Sequence, residues 1–329
     1  MRPWTWIAIG IAPAAIAWVA ILALSRSGLA KRLADHPNER SLHAIPTPRI
    51  GGLGVMAAAL PIAAAFATPD VDVILGAAMF LCLMSLVDDF RSLPIQVRLP
   101  GHFAAATIAL LAVASPGAGQ TQIGVAGFAV ALLALVWMTN LFNFMDGSDG
   151  LAGGMAAFGF AAFALAAALA ARLPLAAVAL VLASASLGFL AHNFPPARVF
   201  LGDAGSVPLG FLAGALGLQG WMTGAWPLFF PVLVFAPFIV DASLTLAVRI
   251  AKGETVWKAH RTHLYQRLVL RGWTRRRLLF AAYPLMAVSG LAALAAREAD
   301  GALQSGIILV FAVVYLLLFI AAGSRVRVS

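Results

Sequence analysis

Five aspartates in this sequence stand out through the residues around them. Asp88 and Asp89 are adjacent, and neighbouring carboxylates repel each other unless a cation or a proton transfer resolves the charge. Downstream, Asn140, Asn143, Asp146 and Asp149 recur at three-residue intervals, which a helix would turn towards one face. Asp203 sits among glycines, whose backbone permits close approach to a ligand. Carboxylates without a Cys–His cluster suit a hard, oxygen-seeking ion such as Mg²⁺ better than zinc. The opposite charge is nearby. His43 and Arg49 lie in the stretch 35–52, and His260, Arg261 and His263 lie in a basic stretch between Arg249 and Arg277. Mg²⁺ together with Arg and His around a phosphate is the equipment of phosphoryl transfer.

The elements that must position these residues are membrane helices. Of the 329 residues, 62% are hydrophobic and 11% charged, with a mean hydropathy of +0.94, whereas a soluble domain carries about 25% charged residues. This excludes an ordinary cytosolic enzyme and a disordered chain. The single cysteine, Cys82, excludes a disulfide scaffold. Apolar runs fall at about 4–25, 50–68, 71–87, 100–115, 121–140, 151–171, 174–191, 205–222, 226–247, 278–296 and 304–322. They predict an all-α, polytopic integral membrane protein with about eleven transmembrane helices. Strands of a barrel would alternate in polarity and do not fit. The first run is too long for a signal peptide and is followed by Lys31 and Arg32, so it reads as a retained helix.

Basic residues set the orientation. Nineteen of the 22 Lys and Arg residues fall on one set of alternate loops, leaving Arg2, Arg172 and Arg297 on the other side. The positive-inside rule then puts the N-terminus in the periplasm and the C-terminus in the cytoplasm. Residues 1–329 read as one transmembrane domain, with cytoplasmic loops at about 26–50, 88–99, 140–150, 192–204 and 248–277. No inverted repeat of the transporter kind is visible. Every candidate residue falls at the cytoplasmic face.

Each motif also has a plainer explanation. Asp88–Asp89 could end a helix in solvent, the Asn–Asp segment could be a capped turn, and Asp203 could be an N-cap. The basic stretch could be a positive-inside anchor. Asp241 lies inside an apolar run, where carboxylates are functional suspects, or it could pair structurally with Arg249 two turns on. These explanations would have to hold together, all on one face.

The motifs RSLHAIPTPRIGG, LVDDF, TNLFNFMDGSDGLAGG, FLGDAGS and HRTHLYQRL, in this order, resemble the polyprenyl-phosphate N-acetylhexosamine-1-phosphate transferase family. The resemblance covers nearly the whole chain. It implies transfer of a sugar-1-phosphate from a UDP-sugar to undecaprenyl phosphate with release of UMP, at the cytoplasmic face of the bacterial inner membrane. By the same resemblance Asp88 and Asp89 are the paired aspartates, with Asp88 the general base towards the lipid phosphate. Asn140, Asn143, Asp146 and Asp149 surround nucleotide and metal. Asp203, with Asp149, ligates Mg²⁺ (Mn²⁺ being the alternative ion), and His43, Arg49, His260, Arg261 and His263 contact substrate. The implied partners are undecaprenyl phosphate, a UDP-N-acetylhexosamine, the bilayer and, as an option, a second copy of the chain; nucleic acid is not among them. The His-Arg-Thr-His segment looks more like the O-antigen-initiating branch that uses 6-deoxy sugars such as N-acetylfucosamine or N-acetylquinovosamine. A transferase for UDP-N-acetylglucosamine is the alternative. A transporter or flippase of lipid-linked sugars would instead spread ionisable groups through the membrane depth, and only Asp241 leans that way.

Overall fold

The computed structural model describes residues 2–37, 45–114, 123–255 and 260–323. Helix α1 (Pro3–Ser25) is followed by a short α2 (Gly28–Arg32) and two minimal strands, β1 (Ala34–Asp35) and β2 (Thr47–Pro48). Then come α3 (Gly51–Ala64), α4 (Pro69–Arg91), α5 (Ile95–Val113), α6 (Val125–Phe144), α7 (Leu151–Leu169), α8 (Leu173–Asn193) and α9 (Asp203–Met222). The chain ends with α10 (Phe229–Val234), α11 (Ala236–Ala251), α12 (Leu264–Leu270), α13 (Arg275–Ala296) and α14 (Gly301–Gly323). The expected all-α architecture holds, and the protein is a multi-pass membrane protein.

Eight of the described helices are long and apolar enough to cross a membrane: α1, α4, α5, α6, α7, α8, α13 and α14. The other three expected spans take different forms for physical reasons. Helix α3 has only 14 residues. The run 226–247 breaks at Phe235, between Pro231 and Pro237, into α10 and α11, because proline removes an intrahelical donor and clashes with the preceding turn. Helix α9 carries Asp203, Ser206 and Gln219 and is buried along most of its length, packed against α3, α4, α5, α6, α7 and α10. A helix shielded from lipid on all sides can hold polar groups that a lipid-facing one cannot. Helix α14, by contrast, is almost wholly outward-facing and apolar.

Proline and capping set several boundaries. Helix α4 starts with Pro69 at its first position, and Asp70 and Asp72 in its first turn suit the positive end of the helix dipole. It ends where Ser92 turns left-handed (φ 49°) and its N–H donates to the Asp88 carbonyl. Helix α5 begins directly after Pro94, some five residues before the expected start. The aspartate pair is therefore the last helical turn of α4, and only a short link remains of the loop expected at 88–99. Similarly, Asn140 and Asn143 lie on α6, which runs to Phe144.

One zipper of backbone hydrogen bonds ties two distant loops together. Phe200 N–H donates to the Pro48 carbonyl, Gly51 N–H to Phe200 and Gly52 N–H to Leu201. Gly52 and Gly205 meet here backbone to backbone; a Cβ on Gly52 would collide with Gly205 and lie 2.8 Å from the Leu201 carbonyl. Gly202 turns with φ +75°, beside Arg49 and Asp89. These close approaches deliver Arg49 and Asp203 to the same end of the bundle as Asp88 and Asp89.

Candidate active site

Four elements build the site. The end of α4 supplies Asp88 and Asp89, the end of α6 and the turn after it supply Asn143 and Asp146, and the start of α9 supplies Asp203. The β2–α3 segment supplies Arg49.

Asp88 is buried and occupied on both oxygens. Leu93 N–H donates to Oδ1 at 2.6 Å and Arg98 Nη1 to Oδ2 at 3.1 Å. The Asp89 side chain is only 1% exposed; Arg49 Nη1 lies 3.4 Å from Oδ1, and Ala204 N–H donates to Oδ2 at 3.3 Å. Among the described residues Oδ1 of Asp89 has no hydrogen bond. Asp203 and Asp89 are close enough to repel, as are Asp203 and Asp146. Burial, with the charges of Asp203 and Asp89 added, pushes the Asp146 carboxyl well above the usual carboxylate range, opposed by the Gly202 N–H. Asn143 braces the group: its Oδ1 accepts from Ser206 Oγ at 3.1 Å, and it hydrogen-bonds Asp203.

This donor set fits a hard divalent cation. Carboxylates crowd one another, and one buried oxygen lacks a hydrogen bond. Among the described residues no group of three or more His, Cys, Asp or Glu side chains is placed to hold a metal ion by itself. Mg²⁺ is commonly held by one or two carboxylates, with water and substrate phosphate completing its shell, and an open set of this kind matches that chemistry.

Beside the carboxylates lies a cavity of about 300 Å³. Asp88, Asp203, Asn140, Asn143, His260, His263 and Gln266 line it. Three lining residues went unnoticed in the sequence: Arg98, His102 and Gln266. His102 faces Asn140 across 3.2 Å, and Asn140 also donates to the Val136 carbonyl. Nothing in the spacing of Arg98 and His102 marks them: Arg98 lies in the expected loop 88–99 and His102 at the start of an apolar run.

Other expectations are redistributed. Asp146 and Asp149 do not share a helical face, since residues 145–150 form turns and not a helix. Asp149 is engaged elsewhere: Ala197 N–H donates to its Oδ2 at 3.0 Å, and Arg275 Nη1 lies 3.4 Å from the same atom. It does not line the cavity. Arg261 is exposed and is likewise absent from the cavity wall. His43 lies outside the described residues. Arg249 does not pair with Asp241; its side chain binds Glu254 at 2.8 Å and the Thr255 carbonyl at 2.9 Å.

Known proteins are similar to this chain in sequence. Residues 71–220, from α4 through most of α9, match the model for glycosyl transferase family 4. A decaprenyl-phosphate N-acetylglucosaminephosphotransferase of Mycobacterium leprae is 30% identical over 312 residues, covering 80% of this chain and 78% of the relative. A probable undecaprenyl-phosphate N-acetylglucosaminyl 1-phosphate transferase of Bacillus subtilis is 26% identical over 282 residues, with 80% and 77% covered. A phospho-N-acetylmuramoyl-pentapeptide-transferase of Rippkaea orientalis is 29% identical over 318 residues, with 87% and 84% covered. All four aspartates gathered at the bundle end, Asp88, Asp89, Asp146 and Asp203, lie in the matched region, and the protein belongs to glycosyl transferase family 4.

Proposed function

We propose that the protein transfers an N-acetylhexosamine-1-phosphate from a UDP-sugar to a polyprenyl phosphate, undecaprenyl phosphate in a bacterial inner membrane, and releases UMP at the cytoplasmic face. The observation that carries this is one cavity lined by Asp88, Asp203, Arg98 and a histidine pair, with Asp89 and Asp146 close to Asp203 and Arg49 beside Asp89. The reaction forms a bond from the lipid phosphate oxygen to the sugar-bearing phosphorus of the donor. It breaks the bond between that phosphorus and the bridging oxygen, which leaves with UMP.

Asp203 and Asp146 would hold the cation, with Asp89 beside them. When bound, Mg²⁺ supplies charge neutralisation of the diphosphate. Arg98, already within 3.1 Å of Asp88, can pair with the acceptor phosphate as it enters, leaving Asp88 as the carboxylate next to the attacking oxygen. His260 and His263 line the same cavity and can donate to the donor's diphosphate. Burial, together with His263 and Arg249, pulls the His260 imidazole down to about 4. It is therefore neutral in the free protein and serves as a hydrogen-bonding group.

The resemblance of the His-Arg-Thr-His segment supports a 6-deoxy donor and O-antigen initiation, whereas the names of the Mycobacterium leprae and Bacillus subtilis relatives support UDP-N-acetylglucosamine. Purified protein given undecaprenyl phosphate, Mg²⁺ and a panel of UDP-N-acetylhexosamines tests both. UMP release with one donor preferred is expected, and no release with any of them refutes the transfer.

A further inference from the structure

Asp241 has no part in the reaction as described, yet it is a carboxylate in an apolar helix, with its side chain 6% exposed. Each of its oxygens is spoken for. Oδ1 accepts from Leu264 N–H at 2.7 Å and from Thr245 Oγ1 at 3.2 Å, and Oδ2 accepts from Tyr265 N–H at 3.2 Å. These are the first amides of α12, which have no intrahelical acceptor of their own. His263, immediately before α12, brings its Nδ1 to 3.5 Å from Asp241 Oδ1. That nitrogen is buried and makes no hydrogen bond among the described residues, which leaves the Asp241 carboxylate, at ion-pair distance, as the charge it faces.

The same imidazole lies among three rings, with that of His260 nearest at 4.8 Å. The Phe144 ring stacks with it at 6.2 Å and the Tyr265 ring at 5.9 Å. Tyr265 Oη donates to the Phe144 carbonyl at 3.0 Å, which ties α12 to the end of α6, one residue beyond Asn143. The segment therefore has a carboxylate anchor beneath it and an aromatic hook to the neighbouring helix.

We propose that Asp241 is the positioning residue for His263: it holds the Nδ1 proton, so that Nε2 is the nitrogen presented to the cavity, and seats the histidine pair against Asn143 and Asp203. The donor side of this inference rests on the histidine pair meeting the donor's diphosphate. A carboxylate that accepts from the far nitrogen of a functional imidazole fixes its tautomer and direction, and loss of such a partner commonly costs about 10- to 100-fold in activity. Asp241→Asn keeps shape and one acceptor oxygen for the α12 amides but removes the charge that selects the tautomer.

The test has two arms. In protein with ¹⁵N-labelled histidine, His263 should show the Nδ1–H tautomer, and Asp241→Asn should convert it to a mixture; an unchanged His263 spectrum in that variant overturns the inference whatever the reaction is. In steady-state kinetics, Asp241→Asn should lower kcat/KM for the UDP-sugar at least about tenfold while leaving KM for undecaprenyl phosphate within about twofold. The same substitution made in His263→Ala should cost nothing further. Equal losses towards both substrates, or additive losses in the double variant, mean a general packing role and overturn it. A wild-type protein that releases no UMP from any donor defeats the proposed reaction instead, and the spectroscopic arm still decides the positioning.

Discussion

At the scale of single residues, the site is governed by crowded negative charge. Asp203 sits at the head of α9 within repulsion distance of Asp89 and Asp146, and its amide isostere would remove a charge without removing volume. Asp203→Asn should therefore abolish transfer, with a thermal unfolding midpoint equal to or above that of the wild type, because like-charge repulsion is relieved. EDTA should stop wild-type turnover, and added Mg²⁺ should restore it; turnover that persists in excess EDTA contradicts the cation's part. A second residue-scale expectation concerns pH. His260 titrates at about 4 in the folded protein and about 6.5 when unfolded. As pH falls below the unfolded value, the unfolded chain takes up a proton that the folded one refuses, so stability declines between these two values. Unfolding midpoints measured at pH 7.5 and 5.0 should fall less on acidification for His260→Gln than for the wild type.

At the scale of elements, close backbone contact does the positioning. The contact of Gly52 with Gly205 and the zipper to Phe200 and Leu201 bring Arg49 to Asp89. Gly52→Ala should force α3 and α9 apart at a cost of about 1–3 kcal/mol, read as a lower unfolding midpoint, whereas Gly10→Ala meets open space and should be neutral. This is also where the sequence was least legible. The apolar runs announced the helices because hydropathy needs no tertiary context. The extent of α4 and α5 was hidden because Asp88, Asp89, Arg91 and Arg98 look like loop residues, although the left-handed Ser92 and Pro94 suffice to break the two helices. The Asp146–Asp149 spacing suggested a helical face, but Gly147 and Gly150 turn the chain there, and Gly150 has φ +75°, so the two carboxylates go to different partners. Arg98 and His102 could not be found by spacing, since only the packing of α5 beside α6 brings them to the cavity. Asp241 was recognisable as an anomaly, but its partners lie on α12, more than 20 residues away.

For the whole molecule, the polarity of the bundle is the main functional fact. The opposite end carries structural contacts: Gln219 with Asp70, Arg172 with the Thr223 carbonyl, and Arg297 with the Ala166 carbonyl at 3.1 Å. The proposed orientation, with the cavity end in the cytoplasm, rests on the arginine distribution. In a Cys82→Ala background, a cysteine at exposed Arg261 should react in intact cells only with membrane-permeant reagents, and one at exposed Glu298 with impermeant ones too; the reverse pattern inverts the topology. The central claim is that this end cleaves the donor between its two phosphates. A UDP-N-acetylhexosamine carrying ³²P on the sugar-linked phosphorus tests it directly, with the protein, Mg²⁺ and undecaprenyl phosphate. The label should move into the lipid phase together with the sugar, leaving unlabelled UMP in water, and Asp203→Asn should block the movement. Label that stays with the nucleotide as UDP while the sugar moves would contradict the account.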